Sequence, residues 1–476
     1  MDQILSLSSS GIQFMMRKPV LWLLIFTFLH GLWYVAIVHP WQAPDEYLHY
    51  EYLRLIDAKK TLNLKAEDRT SEIQWDVAES MWLFEHYRYR NLPTLPESEF
   101  RSLPTPLGSR VFTPQPPLYY LLSLPIYWAV SSWPTLSQLY VLRVFSVLLQ
   151  CLTVLMTYKL ASLIFPATRQ RTLVLVSAAI VATLPQYTFI SASYNNDNLA
   201  PLLVAGSLYG VVRGFHDRGN GRWLVVAIAC GLLSVTAKRT AAPILPILGL
   251  ATVVFGFEWM RSRDMLRRVL GSIALVGSLA ALAAVVGLVL FAVRIPQDLA
   301  RHLRLAPDAL LALANYWKNP ATLAKVDWRW FLGESLESFW GQFGWLNVRL
   351  NPSLVSFIDW VSAVLAIGLA VGLWRYRRSS EALPAPSLWA LIILASGLLV
   401  GFLLMVSQYL VAPASYFPQG RYLFPFVSAF AILACWAWAA LWPSPRQSQA
   451  LIFGWISLVL FDVYCWGFTI IPFYYS

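Results

Sequence analysis

Asp45 and Glu46 form an adjacent carboxylate pair in the run W-Q-A-P-D-E-Y-L-H-Y, Trp41 to Tyr50, and His49 follows four and three positions later. On a helix beginning near Pro44 the three side chains share one face. Proline suits the first turn and acids complement its positive end, so the pair also reads as a plain helix start. What precedes it adds a chemical reading. The uncharged apolar run Val20 to Val38 is long enough to cross a bilayer and brings both acids to its surface, where idle charge is costly. A carboxylate there can act as general base on an acceptor hydroxyl. Like charge on its neighbour and partial loss of solvent would raise the pair's basicity. Asp45 is the first candidate base and Glu46 the second. With His49 they could also hold a divalent cation, but three ligands from one turn leave such a site incomplete. No metal or other cofactor is assigned.

Polar groups also break the apolar sequence at Tyr194-Asn195-Asn196-Asp197, at Lys238-Arg239, at Arg143, and at Arg421 within Q-G-R-Y-L-F-P, Gln419 to Pro425. Counted through the spans given below, all of them fall on the side of Asp45. Each has a bland reading: an arginine at a helix end snorkels to headgroups, and Asn-Asn-Asp is an ordinary turn. As a set they place cations on the face where positive charge is otherwise sparse. A lipid phosphate would pair with them, and they would stabilise charge growing on a departing phosphate. No G-x-x-x-x-G-K-[ST] run and no strand-borne G-x-G-x-x-G offers a nucleotide site. Trp340 and Trp345 are candidates for lining a sugar cavity.

The elements that must position these groups are membrane helices. Hydrophobic residues make up 58% of the chain and charged residues 13%. Apolar runs of spanning length fit near 20–38, 138–165, 172–192, 199–213, 222–236, 241–257, 269–293, 353–374, 386–410, 421–442 and 450–472. The fold class is therefore an all-α polytopic integral membrane protein with about eleven spans. Arg17 and Lys18 before the first span, and the arginines of the short loops, put the N-terminus in the cytoplasm and the C-terminus outside. These loops also account for the net charge of +11, so nucleic acid is not an expected partner. The first span is read as retained, because no small-residue cleavage site follows it. Cys151, Cys230, Cys435 and Cys465 fall singly in apolar runs and read as small hydrophobes.

The segment Pro116 to Val130 is short and interrupted by Pro125. Counting it as a crossing would put the arginine clusters outside, so it reads as a re-entrant or interfacial helix on the outer face. Domain boundaries follow: 1–38, 39–137 (a first outer loop), 138–293, 294–352 (a second outer loop) and 353–476. The first loop holds, up to Gln115, 12 of the chain's 25 acidic residues. In it, Trp75, Ala78, Met81 and Trp82 would face one way on a helix lying along the membrane, aromatic side down. Asp462, inside the last span, is expected to pair with a neighbouring helix.

The acidic pair after the first span, P-P-L-Y-Y-L-L before the second, the Asp-bearing Y-N-N-D loop and the G-L-L-x-V-T-A-K hairpin resemble the GT-C glycosyltransferase superfamily. More narrowly, P-D-E-Y-L-H, Y-N-N-D, F-W-G-Q-F-G-W and Q-G-R-Y-L-F-P resemble a bacterial membrane family of unknown function, over about Trp41 to Pro425. The resemblance implies an inverting sugar transfer from a polyprenyl-phosphate donor in the cell's plasma membrane, on its outer face. It maps the base onto Asp45 with Glu46 as second, a positioning acid onto Asp197, and phosphate-binding cations onto Lys238, Arg239 and Arg421. His49, Asn196, Trp340 and Gln419 complete the expected substrate contacts. The last span ends near Ile471, without the large soluble C-terminal domain of the sugar-to-protein members, which favours a glycan or lipid acceptor over a peptide. The competing readings are a flippase for lipid-linked glycans, which would carry polar residues and broken helices at the midplane, and a glycan ligase or polymerase.

Overall fold

The computed structural model describes residues 18–84, 115–217, 221–261, 327–378, 385–411 and 416–475, with a few isolated positions between 265 and 324. Helix α1 (Pro19–Ile37) starts on a proline and carries no charge. After the turn that follows it come α2 (Glu46–Lys59) and α3 (Ser71–Leu83). Helix α4 (Leu118–Val130) then leads into the 30-residue α5 (Thr135–Ile164). The chain continues as α6 (Ala167–Thr183), α7 (Pro185–Ser191), α8 (Leu199–His216), α9 (Gly221–Ala237) and α10 (Ile244–Met260). Beyond residue 327 lie α11 (Trp328–Trp340), a two-residue hairpin of β1 (Gln342–Phe343) and β2 (Val348–Arg349), then α12 (Pro352–Arg378), α13 (Ala385–Val411), α14 (Val427–Ala440) and α15 (Gln447–Tyr464). A π-helical turn, Cys465–Ile470, joins α15 to α16 (Ile471–Tyr475).

The protein is an all-α polytopic membrane protein. Among the described residues eight helical stretches are long and apolar enough to span, and α6–α7, bent by 58° before Pro185, makes a ninth if it is one crossing. The expected span at 222–236 is the apolar helix α9, 17 residues long. The expected span at 269–293 lies outside the described residues apart from a few positions, as do 85–114 of the first outer loop and most of the second before 327. The stretch from Pro352 to Arg378 has only 11% of its apolar window buried, as befits a helix whose sides face lipid. Helix α4, with Pro125 inside it, has 13 residues. That is a rise of about 20 Å, short of the roughly 30 Å hydrocarbon layer.

Helix α3 divides the residues expected on one face. Its buried face is Ile73, Val77, Ala78 and Met81, while Trp82 is exposed. Those residues belong to one core cluster with Trp41, Tyr50 and Leu53, so α3 packs one face on the protein and leaves Glu72, Glu79, Trp82 and Leu83 exposed on the other. Asp462 does pair. Its Oδ1 accepts from Tyr34 Oη at 2.8 Å, and its Oδ2 lies 2.8 Å from His30 Nε2, while His30 Nδ1 donates to Ala182 O at 3.0 Å. The carboxyl thereby ties α15 to α1 and α6 inside the bundle.

Candidate active site

The turn carrying Asp45 is built under strain. Pro40 and Pro44 bracket it, and both Trp41 (φ 68°) and Asp45 (φ 63°) are left-handed. Each such non-glycine residue costs about 1–3 kcal/mol and persists only when its surroundings hold it. Trp41 is held on three sides. Its N–H donates to Glu46 Oε2 (3.0 Å), its indole N–H to Ser80 Oγ (3.0 Å), and its carbonyl accepts from Trp345 Nε1 (3.1 Å). Asp45 occupies the N-cap position of α2 but caps nothing. Its side chain is 35% exposed and turns to Arg421 instead.

Glu46 is the buckle of this turn. Oε1 accepts from Arg143 Nε (2.8 Å) and the Tyr194 N–H (2.9 Å), and Oε2 from Arg143 Nη2 (2.7 Å) as well as Trp41. Both side chains are fully buried. Arg143 spends its remaining hydrogens on the carbonyls of Val35 (3.4 Å), Val38 (2.8 Å) and His39 (3.1 Å), where α1 ends. With four donors on two oxygens, Glu46 has no free lone pair aimed at a substrate. Its carboxylate is taken up in holding the turn. The expected rise in basicity does not appear at Asp45. Burial pushes the Asp45 carboxyl up, but the charges of Arg421 and Lys238 outweigh it and hold it below its usual range.

The Y-N-N-D segment docks on the same turn. Asn195 Nδ2 donates to Pro44 O (3.1 Å), and its Oδ1 accepts from the Asp197 N–H (2.9 Å), which sets the 3-10 turn Asn196–Asn198 ahead of α8. Asp197 is 5% exposed and pairs with Lys238 Nζ at 2.9 Å. Lys238, at the end of the α9 hairpin, also donates to Asn196 Oδ1 at 2.8 Å. Arg421 closes the set, with Nη2 3.3 Å from Asp45 Oδ2 and Nη1 3.7 Å from Asp197 Oδ2. It stands at the start of the 3-10 segment Gly420–Phe426 before α14, over which the Gly420 N–H donates to Ser338 Oγ of α11 (2.8 Å). Four segments far apart in sequence thus bring two acids and two cations into one chain of contacts.

His49 joins this group electrostatically and is fully buried against Tyr120, whose phenol lies 2.6 Å from Nδ1. Burial, with Lys238 nearby, lowers its pKa to about 3, so the ring is neutral. Burial also keeps the Tyr120 phenol protonated, well above its usual range. The phenol therefore donates to Nδ1, which leaves the proton of the neutral ring on Nε2. Tyr120 carried no sequence signal of this role beyond its place in P-P-L-Y-Y-L-L.

Several polar atoms of the site have no hydrogen-bond partner among the described residues although buried: Asp197 Oδ2, Gln419 Oε1, and Arg421 Nε and Nη1. Buried donors and acceptors left open are costly unless a ligand meets them. Other expected residues differ in where they lie. Trp340 packs among Phe339, Phe430 and Phe461 inside the core and lines no part of this site. Trp345, by contrast, reaches the Trp41 carbonyl and the Tyr47 ring. Arg239 is exposed, and Asp197 takes Lys238 instead. Asp45, Glu46 and His49 do not converge on a metal position, since Glu46 is folded under the turn. Among the described residues no three His, Cys, Asp or Glu side chains group as metal ligands. Two cavities, of about 350 Å³ beside Trp330, Glu334 and Glu337 and about 570 Å³ along α12 and α14, are lined by other residues. The Asp45 site is marked by its charges and open valences.

Solved structures of the oligosaccharyltransferase from Archaeoglobus fulgidus share some of this architecture. One, the archaeal oligosaccharyltransferase AglB with an inhibitory peptide and a dolichol-phosphate, is 13% identical, with a TM-score of 0.46 over 97% of this chain and 56% of that one. Another, in the apo form, is 13% identical with a TM-score of 0.46, over 96% and 55%. The chain thus spans little more than half the length of these proteins, and a likeness at this level leaves function to be argued from the site. No curated protein matches the chain. A family described as a predicted membrane protein, DUF2142, matches residues 28–429, a stretch that includes every residue of the Asp45 site, and the chain belongs to that family.

Proposed function

We propose that this protein is a membrane glycosyltransferase that moves a sugar from a polyprenyl-phosphate donor to a glycan or lipid acceptor, with Asp45 as general base. The observation that carries the reading is the arrangement at Arg421. A cation with two open N–H groups joins a partly exposed carboxylate to a buried acid that is paired with a second cation. An anionic phosphate bridging Arg421 and Lys238 would satisfy those N–H groups and bring the anomeric carbon beside Asp45. Asp45 would then take the proton of the acceptor hydroxyl as its oxygen bonds to that carbon. The bond from carbon to phosphate oxygen breaks, the configuration inverts, and the lipid phosphate leaves onto the two cations. His49 Nε2–H and Asn196 supply further donors, and Asp197 sets the positions of both cations.

The same geometry would keep the base weak without donor. Arg421 and Lys238 depress Asp45 in the free protein, and a bound phosphate would offset both charges and restore its basicity. The deciding experiment uses full-length protein in liposomes with a panel of radiolabelled polyprenyl-phosphate sugars and membrane glycan extracts, beside Asp45→Asn. The reading requires label to move into a glycan or lipid with wild type and to stay on the donor with the variant. Transfer at wild-type rate by Asp45→Asn would remove Asp45 as base. Passage of intact donor across the vesicle without transfer would replace the enzyme with a flippase.

A further inference from the structure

The larger cavity lies at the other end of the bundle from Asp45. The stretch Gly420–Ala440 has 21 residues and runs from Arg421 to this cavity, a rise of about 30 Å, one hydrocarbon thickness. Its walls come from α6, α12, α14 and the start of α15. Arg375 and Arg378 supply the charge, and no acidic residue is among those lining it. Arg375 is fixed by a 2.9 Å hydrogen bond from Nη1 to Trp442 O, and the Arg378 guanidinium lies 4.6 Å from the Trp374 ring centre. The apolar part of the wall is Leu173, Trp374 and Trp436. Gly372 lets the Trp436 ring sit against α12, since a Cβ there would meet that ring at 2.9 Å.

A second feature belongs to the same wall. Gln170, on the cavity wall, breaks the helical geometry of α6 (φ −129°, ψ 30°), and its buried Oε1 has no partner among the described residues. A ligand that fits must offer an anion to two arginines, a hydrogen-bond donor to an amide oxygen, and an apolar body to two indoles at the membrane boundary. Basic pockets between membrane helices take anionic lipid headgroups in this way, and indole rings favour that depth. We propose that this cavity binds an anionic phospholipid whose headgroup carries a hydroxyl, of the phosphatidylglycerol type. The phosphate lies on Arg375 and Arg378, and the headgroup hydroxyl donates to Gln170 Oε1. The bound lipid clamps α12 to the α14–α15 hairpin, independently of the chemistry at Asp45.

The test is lipid binding to the purified full-length protein in neutral detergent by native mass spectrometry, with thermal unfolding in parallel. The probes are phosphatidylglycerol, phosphatidic acid, phosphatidylcholine and soluble glycerol 3-phosphate. Two cations at a membrane surface are worth about thirtyfold in affinity, so phosphatidylglycerol is expected to bind about thirtyfold tighter than phosphatidylcholine and to raise the melting temperature. The double variant Arg375→Gln/Arg378→Gln should lose that preference, and Gln170→Leu should erase the advantage over phosphatidic acid. Arg377→Gln removes equal charge from the same helix but lines no part of the cavity, and should bind phosphatidylglycerol as wild type does. An equal loss in Arg377→Gln, or equal binding of phosphatidylcholine, would overturn the site in favour of diffuse charge. Competition by glycerol 3-phosphate at the lipid's own concentration would make the ligand a free phosphate and overturn the lipid assignment. Unfolding without added lipid shows whether each variant is folded, and Gln447→Glu offers a second route. It keeps both arginines, places a carboxylate in the wall, and should abolish binding.

Discussion

Arg421 holds Asp45 from below: its Nη2 lies 3.3 Å from Asp45 Oδ2 while the guanidinium itself is 7% exposed. The contact sets the pH behaviour of the proposed base. Asp45 must be ionised to act, and in the free protein its pKa is lowered. The acidic limb of kcat/KM, which reports free enzyme, is therefore expected below the ordinary aspartate value of about 3.9. The limb of kcat reports the donor complex and should lie higher, because the donor phosphate offsets Arg421 and Lys238. Rate profiles from pH 3 to 8 would check this. Coincident limbs would mean that donor charge never reaches Asp45.

Glu46 and Arg143 make the opposite kind of pair, closed and fully buried. Removing one partner leaves a buried charge unpaired, at a cost of about 3–5 kcal/mol. Glu46→Gln and Arg143→Met should each lower thermal stability sharply. Asp45→Asn should leave it within about 0.5 kcal/mol, since the side chain is partly exposed and asparagine tolerates the left-handed backbone. A Glu46→Gln protein with normal melting temperature and no turnover would move Glu46 from scaffold to chemistry.

The sequence was informative about class and poor at assigning partners. Spans, the short Pro125 helix and the segments that meet at the site follow from apolar run length and from the parity of charged loops, both strong one-dimensional signals. Which acid faces substrate does not. Asp45 and Glu46 are neighbours with equal chemistry, and only the left-handed turn at Asp45 sends one to Arg421 and the other under the turn to Arg143. Trp340 shows a similar limit: an indole that packs on Phe430 looks, in sequence, like one that stacks on a sugar.

Lys238 and Arg239 show the same ambiguity and give a test of it. Lys238 reaches Asp197 and Asn196, whereas Arg239 is exposed. Lys238→Met should raise KM for the donor at least tenfold, about the value of one charge-assisted contact. Arg239→Met should stay within about twofold. Steady-state kinetics across donor concentrations separates them, and equal effects would argue for a diffuse field around the hairpin.

The neutral His49 ring makes a negative expectation as sharp as a positive one. With its pKa lowered to about 3, it should show no titration by NMR between pH 5 and 8. Tyr120→Phe removes the donor to Nδ1 and frees the ring to exchange tautomers, so donor affinity should fall while Asp45 chemistry persists. His49→Gln, which keeps an N–H, should retain more activity than His49→Leu. A His49 resonance, assigned by its loss in His49→Gln, that titrates near 6.5 would show that the ring is not buried in this way.

Gly420 is where backbone packing controls the chemistry most directly. A Cβ there would lie 2.4 Å from Ser335 O and 2.5 Å from Phe339 N, both backbone atoms of α11 that cannot swing aside. Alanine at this position must therefore push α11 and the 420–426 turn apart, weakening the hydrogen bond from the Gly420 N–H to Ser338 Oγ and moving the next residue, Arg421. A shift of about 1 Å in a positioning group can cost a hundredfold in rate, while overpacking costs about 1–3 kcal/mol. Gly420→Ala should thus stay folded in a melting assay yet lose about a hundredfold in kcat/KM. Arg421→Lys, which keeps the charge but not the planar fork that reaches Asp45 and Asp197 together, should fall in the same range. Full activity in Gly420→Ala would mean that the site does not need Arg421 held against α11.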